Sequence, residues 1–275
     1  MRIFAGAHDP LSARLAELAG FDGIWASGLG LATSQTVPDL GLLGASETLQ
    51  LSRNISLAVE VPVAVDCNDG FGDEATAAFT AGRAARLGLA GICVEDKVGA
   101  KTNSFRPGGQ LAPLDVMTGR IKAAHCAVEG KPLGIVARTE ALVVGRSVSE
   151  AVDRAEAYVA AGASGVLIHA KNPDTSALLE TCTLLSSEHP DIEIWVIPTT
   201  FVETPRDVLQ RAGVSVVVYA NQSLRAAIRS MRRILDAIAR GRLEGIDAEI
   251  CPMADVFDLT STKTYEDYRK IESCS

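Results

Sequence analysis

Eight short apolar runs punctuate the 275-residue chain, and helix-periodic stretches separate them. The runs are Ile3 to Ala7, Gly23 to Ala26, Val61 to Val65, Ile92 to Val94, Leu133 to Ala137, Gly165 to Ile168, Ile192 to Ile197 and Val214 to Val218. Each is too short for a helix and almost uninterrupted, the pattern of strands buried on both faces of a parallel sheet. Between them lie LSARLAELAG, a helix from about Ser46 to Ser56, EATAAFTAGRAARLG, EAVDRAEAYVAAGA and VETPRDVLQRAGV. Eight alternating units predict an α/β chain closed as a (β/α)8 barrel, whose usual length is about 250 residues. An open doubly wound sheet is the competing architecture, but no G-x-G-x-x-G follows the first run. No linker interrupts the pattern before residue 240, and LRAAIRSMRRILDAIARG reads as the eighth helix. The expected organisation is a barrel domain over 1–246 with a helical or irregular extension of it over 247–275.

Composition excludes several partners. A formal charge of −8 argues against nucleic acid and anionic membrane surfaces. No run reaches the ~18 apolar residues of a transmembrane helix. The opening MRIFAGAHDP lacks the apolar core of a signal peptide. Cys67, Cys93, Cys126, Cys182, Cys251 and Cys274 show no CxxC pairing, so neither a disulfide framework nor a zinc site is expected. The expectation is a reduced, cytoplasmic protein.

The chemistry gathers where the apolar runs stop. Strand starts are mostly Gly, Ala and Pro, whereas the ends deliver His8 and Asp9, then Trp25, Ser27, Gly28 and Leu29. Next come Asp66, Asn68 and Asp69, then Glu95, Asp96 and Lys97, then Arg138, Thr139 and Glu140. His169, the Pro198–Thr200 triplet, Tyr219 and Asn221 complete the series. Barrel enzymes assemble their sites at this end, so an enzyme is favoured over a binding module. Asp66 and Glu95, with Asn68 and Asp39, form an oxygen set fit for Mg²⁺ held partly through water; carboxylates bound to loop N–H groups are the alternative. Arg138 emerges from a buried strand and needs an anion, either a substrate carboxylate or phosphoryl group, or else Glu140 or Glu95. Ser27, Gly28 and Leu29 offer successive N–H groups for an oxyanion, or only a turn. His169 reads equally as a ligand or a capped core residue. Beyond Glu95 the chain becomes a Gly-containing loop with Lys101, Thr102, Asn103 and Ser104, donors fit for an anionic substrate.

These motifs resemble the phosphoenolpyruvate mutase branch of the isocitrate lyase superfamily. The resemblance runs from about Gly6 to Leu259 through AGAHDPLSARLAE, GFDGIWASGLG, EDKVGAKTNS, ARTEAL, GVLIHAK, PTT and VVYANQSLRAAI. Its most discriminating part is E-D-K, three residues, then K-x-N-S; the superfamily's carbon–carbon lyases carry a catalytic cysteine in that loop, absent here. The resemblance implies interconversion of phosphoenolpyruvate and phosphonopyruvate with Mg²⁺. Asp66 would be the main metal ligand, with Asp39, Asn68 and Glu95 in a water-mediated shell, Asp39 also counting among the catalytic residues. Trp25 would wall the pyruvyl pocket, while Ser27, Gly28 and Leu29 would hold the carboxylate and enolate oxygens. Arg138 and His169 would bind the phosphoryl group beneath a closing loop carrying Lys101, Asn103 and Ser104. The resemblance further implies a homo-oligomer, a dimer of dimers with the eighth helix exchanged between subunits. Asn103 favours the mutase over a phosphonopyruvate hydrolase; another enzyme of the branch, such as a carboxyphosphonoenolpyruvate mutase or an oxaloacetate-type hydrolase, is a further alternative. One departure stands out: the family's D-x-D-T-G reads Asp66-Cys67-Asn68-Asp69-Gly70, an amide for a carboxylate, which should weaken Mg²⁺ binding unless Asp69 compensates.

Overall fold

A computed structural model of the chain describes residues 1–98, 104 and 109–269. Strand β1 (Arg2–Ala7) leads to helix α1 (Pro10–Leu18), and β2 (Gly23–Ala26) to α2 (Gly28–Ser34) and α3 (Ala45–Ser56). Then come β3 (Val63–Asp66), α4 (Glu74–Arg86), β4 (Gly91–Glu95), α5 (Leu114–Ala127), β5 (Gly134–Thr139) and α6 (Val148–Ala160). The series ends with β6 (Gly165–Ile168), α7 (Ser176–Glu188), β7 (Glu193–Val196), α8 (Arg206–Arg211), β8 (Val216–Tyr219) and α9 (Gln222–Ala239). The eight strands pair in sequence order, all parallel, and β8 closes onto β1. This is the expected (β/α)8 barrel.

Three strands run further into polar sequence than their apolar runs. β3 ends on Asp66, β4 on Glu95 and β5 on Thr139, and Glu95 and Arg138 are ladder partners. Hydrophobicity stops marking a strand where side chains meet the barrel mouth, although the backbone ladder continues. The Gly-rich segment after β2 also differs from its loop-like composition, because α2 forms there. Ser27 caps that helix, its Oγ accepting from the Gly30 N–H at 3.2 Å.

The barrel interior is aromatic at its centre. Phe4 and Trp195 meet edge to face with centroids 5.1 Å apart, and Trp25 lies 6.3 Å from Trp195. Ala64, Cys93, Val136 and Leu167 fill the remaining interior. A second apolar layer, including Ile24, Val65, Ile92, Ile135 and Met117, joins strands to helices.

The contacts divide the chain into two compact units, Met1–Arg225 and Ala226–Ser275. The whole barrel lies in the first, and the division falls inside α9, ahead of the 246/247 boundary expected from the sequence. In the second unit, a 3-10 turn (Ile246–Ala248), α10 (Met253–Leu259) and α11 (Thr262–Tyr268) follow α9, and Arg233 pairs with Glu249 at 2.7 Å.

Closure of β8 onto β1 depends on Gly6. A Cβ there would stand 2.0 Å from the carbonyl oxygen of Ala220, and the Ser223 hydroxyl donates to the Gly6 carbonyl at 2.5 Å. Gly6→Ala is therefore expected to destabilise the protein by about 1–3 kcal/mol through overpacking. Urea denaturation measures this directly.

Candidate active site

The strand ends converge on one cavity at the C-terminal mouth of the barrel. Trp25, Ser27, Leu29, Asp39, Asp66, Glu95, Ser104, Arg138 and His169 line it, joined by Lys97, Ile197, Thr199, Ala220 and Asn221. Gly28 and Asn68 border an adjoining cavity that shares Asp39 and Asp66. Lys101 and Asn103 lie outside the described residues. Trp25 belongs both to the aromatic core and to the cavity wall, so the site rests directly on the barrel interior.

One side of the cavity is a buried cationic network. Because side chains alternate along a strand, Arg138 and Glu140 leave β5 on the same face. Arg138 Nη2 and Nε lie 2.5 and 2.6 Å from Glu140 Oε1, and Nε is 3.5 Å from Glu95 Oε2. Lys97 Nζ donates to Ser104 Oγ at 2.8 Å and stands 3.7 Å from both Glu95 Oε1 and Glu140 Oε2. Ser104 Oγ also accepts from Arg138 Nη2 at 3.1 Å. Burial pushes the Glu140 carboxyl up, but Arg138, His169 and Lys97 together hold it well below the usual carboxylate range. Glu95 has weaker compensation: burial, against the pull of Arg138 and with repulsion from Glu140, pushes it up to about 7.

His169 joins the network through Nδ1, 2.7 Å from Glu140 Oε1 and 2.8 Å from Arg138 Nη2. These two contacts ask for opposite tautomers. Glu140 is an ionised acceptor, so the proton is assigned to Nδ1 and the guanidinium contact is a close approach. Burial, followed by Arg138, lowers the imidazole pKa, so the ring is neutral at pH 7.

The cavity wall beside this network, at the ends of β3 and β4, is acidic. Asp66 Oδ1 accepts the Asn68 N–H at 3.2 Å, and the Asn68 carbonyl accepts the Glu95 N–H at 2.6 Å, tying β3 to β4. Asn68 has φ of 51°, a left-handed conformation that Asn adopts more readily than most residues. Asp69 does not take over the missing carboxylate. Its Oδ1 accepts the Phe71 N–H at 3.1 Å and its Oδ2 faces Arg120 Nη2 at 3.7 Å. Among the described residues no three His, Cys, Asp or Glu side chains converge tightly enough to hold a metal unaided. The carboxylates of Asp39 and Glu95 and the amide of Asn68, which line the cavities that Asp66 borders, nevertheless fit a hard cation whose shell is completed by water and ligand oxygens.

The α2 N-terminus supplies the third element. Its first-turn N–H groups lack intrahelical partners by position, and Ser27 and Leu29 line the cavity beside Trp25. Gly30 permits this placement, since a Cβ there would sit 3.1 Å from the His8 Cβ and 3.2 Å from the Ala7 carbonyl. Asp9, by contrast, is spent as the α1 N-cap in a capping box with Ser12.

Two site residues, Lys97 and Asn221, stood in the sequence only as polar strand ends with no role assigned to them. Lys97 shares a strand face with Glu95, a signal available once β4 is extended past its apolar run. Asn221 is brought in by the Gly6 closure, and its buried Oδ1 has no hydrogen-bond partner among the described residues. Removing the central cation should expose the network's dependence on it. Arg138→Leu leaves Glu140 and Glu95 buried without a guanidinium, and a loss of about 3–5 kcal/mol in urea unfolding is expected.

The sequence matches the phosphoenolpyruvate phosphomutase family profile over residues 1–239. A phosphoenolpyruvate phosphomutase of Streptomyces hygroscopicus is 38% identical over 272 residues, covering 98% of this chain and 85% of the relative. The crystal structure of a phosphoenolpyruvate phosphomutase from Streptomyces platensis subsp. rosaceus superposes with a TM-score of 0.93 at 39% identity, covering 98% of this chain and 94% of that one. A phosphonopyruvate hydrolase solved with oxalate and Mg²⁺ gives 0.89 at 30% identity over the same shares. With its barrel, its strand-end residues and this similarity along nearly its whole length, the chain belongs to the phosphoenolpyruvate phosphomutase family.

Proposed function

We propose that this protein is a phosphoenolpyruvate mutase, moving a phosphoryl group within one molecule between the enol oxygen of phosphoenolpyruvate and C3 of phosphonopyruvate. The observation that carries the reading is that the Arg138–His169 network and the carboxylates Asp39 and Asp66 line one cavity, with Glu95 joining the two sets through its contact with Arg138. Such transfers pass through a loose transition state, so they need positioning and charge more than covalent chemistry.

In this reading Ser27 and the N–H groups of Gly28 and Leu29 hold the carboxylate and enolate oxygens, and Trp25 walls the pyruvyl group. Arg138 binds the phosphoryl oxygens, with Ser104 and Lys97 beside it. Glu140 keeps the His169 proton on Nδ1, so Nε2 meets the phosphoryl group by taking up a proton as the anion binds. The bond from phosphorus to the C2 oxygen breaks, a bond from phosphorus to C3 forms, and C2 becomes a ketone; no proton is lost or gained by the substrate. Asp66, with Asp39, Asn68 and Glu95 through water, would hold Mg²⁺, and a cation bound there supplies positive charge to the enolate and carboxylate oxygens.

The loop with Lys101, Asn103 and Ser104 is the proposed lid that excludes water, without which the group would be lost to hydrolysis. A cytoplasmic dimer of dimers that exchanges the eighth helix completes the reading. Met231, Leu235 and Ile238 on α9 are exposed and would be covered in such an assembly. Among the described residues, no helix is long and apolar enough to cross a membrane.

The second reading is a phosphonopyruvate hydrolase, favoured by the similarity to that enzyme's structure. ³¹P NMR of the protein with phosphonopyruvate and Mg²⁺ separates the two. Phosphoenolpyruvate appearing without free phosphate is expected; phosphate with pyruvate would instead make this a hydrolase. A second test addresses the amide in the acidic group. Asn68→Asp is expected to tighten Mg²⁺ about 10-fold in calorimetry at fixed oxalate, as outer-shell groups do, while the left-handed backbone tolerates the change.

A further inference from the structure

Asp96 stands between two cavity residues, Glu95 and Lys97, yet strand alternation turns its side chain away from the cavity. It is completely buried. Its carboxylate gathers donors from β5 and α6. Oδ1 accepts the Glu140 N–H at 2.8 Å, while Oδ2 accepts from the Thr139 hydroxyl at 2.9 Å and the Tyr158 hydroxyl at 2.7 Å. Arg154 Nη1 lies 3.5 Å from Oδ2 and also donates to the Ala112 carbonyl at 3.1 Å. The Asp96 N–H donates to the Arg138 carbonyl at 3.0 Å. One residue thus grips three consecutive positions at the end of β5: the carbonyl of Arg138, the side chain of Thr139 and the N–H of Glu140.

Two features set this apart from an ordinary strand contact. A buried carboxylate is expensive to desolvate, and a parallel ladder needs no anion to satisfy its backbone. The grip also falls on the one backbone segment whose two inward side chains, Arg138 and Glu140, form the cationic side of the cavity. Glu140 in turn holds Arg138 and the Nδ1 proton of His169. A shift of the Glu140 backbone would therefore move both groups together.

We infer that Asp96 is a positioning residue. It fixes the end of β5 so that Glu140 aims the Arg138 guanidinium and sets the tautomer of His169, and Tyr158 and Arg154 anchor it to α6. The inference deepens the mutase reading, because Arg138 and His169 are the groups given to the phosphoryl there. It also has a consequence independent of catalysis, the state of the His169 ring.

The test compares wild type with Asp96→Asn and Tyr158→Phe at equal folded fraction. It uses kcat and KM for phosphonopyruvate with Mg²⁺, oxalate affinity, and ¹⁵N NMR of the imidazoles, with His169 assigned by His169→Gln. Asp96→Asn is expected to lower kcat about 100-fold, the effect of a misplacement of about 1 Å. Tyr158→Phe, which removes one neutral hydrogen bond, should lower kcat about 3- to 10-fold. Oxalate affinity should stay within about threefold of wild type, since oxalate carries no phosphoryl group. In Asp96→Asn the His169 signal should leave the Nδ1–H pattern. Unchanged kcat and an unchanged ring signal, even with lowered stability, would overturn the inference and leave Asp96 a structural residue. If Asp96→Asn does not fold, Tyr158→Phe decides by the same two readouts. If wild type does not interconvert the two substrates, the functional reading fails, and the ring signal alone supports or overturns the positioning role.

Discussion

Arg138 is a guanidinium buried at the mouth of a barrel, and most of what surrounds it follows from that placement. A buried cation needs closely held anions. Glu140 supplies one at 2.5 Å from the same strand face, and Glu95 supplies a second from the neighbouring strand. Those carboxylates then need further donors, which Lys97 and His169 provide. The result is a network in which no charge can be moved or removed without leaving another unbalanced. Such rigidity is what a cavity built to orient a small, highly charged group requires.

The rest of the barrel delivers this network at the right height. Trp25 closes the cavity floor and packs toward Trp195, so the aromatic core and the site share a wall. Glycines set the remaining approaches: Gly6 lets β8 close against β1 and brings Asn221 to the cavity, while Gly30 lets α2 lie over the end of β1. The left-handed turn after β3, with Asn68, Gly70 and Phe71 all at positive φ, turns the chain sharply just beyond Asp66. Backbone in sparsely populated regions clusters at functional sites, and this turn fits that rule.

Much of this was legible in the residues. The eight runs marked eight strands because strands covered on both faces must be apolar throughout, and their ends marked the site because the ladder outlasts the hydrophobic stretch. The register at those ends was harder to read. Lys97 and Glu140 sit one alternation beyond residues already chosen, yet nothing local says that the strand continues through them. α2 was hidden for a related reason: its Gly, Ser and Thr residues favour turns, and the helix owes its place to close packing on β1 rather than to propensity.

The sequence alone determined the barrel, the end at which its chemistry gathers and the residue types found there, since periodicity and polarity are local properties. Tertiary structure decided how those charges are paired. Whether Arg138 answers to Glu140, Glu95 or a ligand depends on distances across strands, and spacing along the chain does not contain them. The same holds for Asp69, which turns to Arg120 and the Phe71 N–H and leaves the acidic group without the charge lost at Asn68. Asp96 shows the division most clearly: three adjacent polar residues read alike in sequence, and alternation sends the middle one to the opposite side to hold β5 in place.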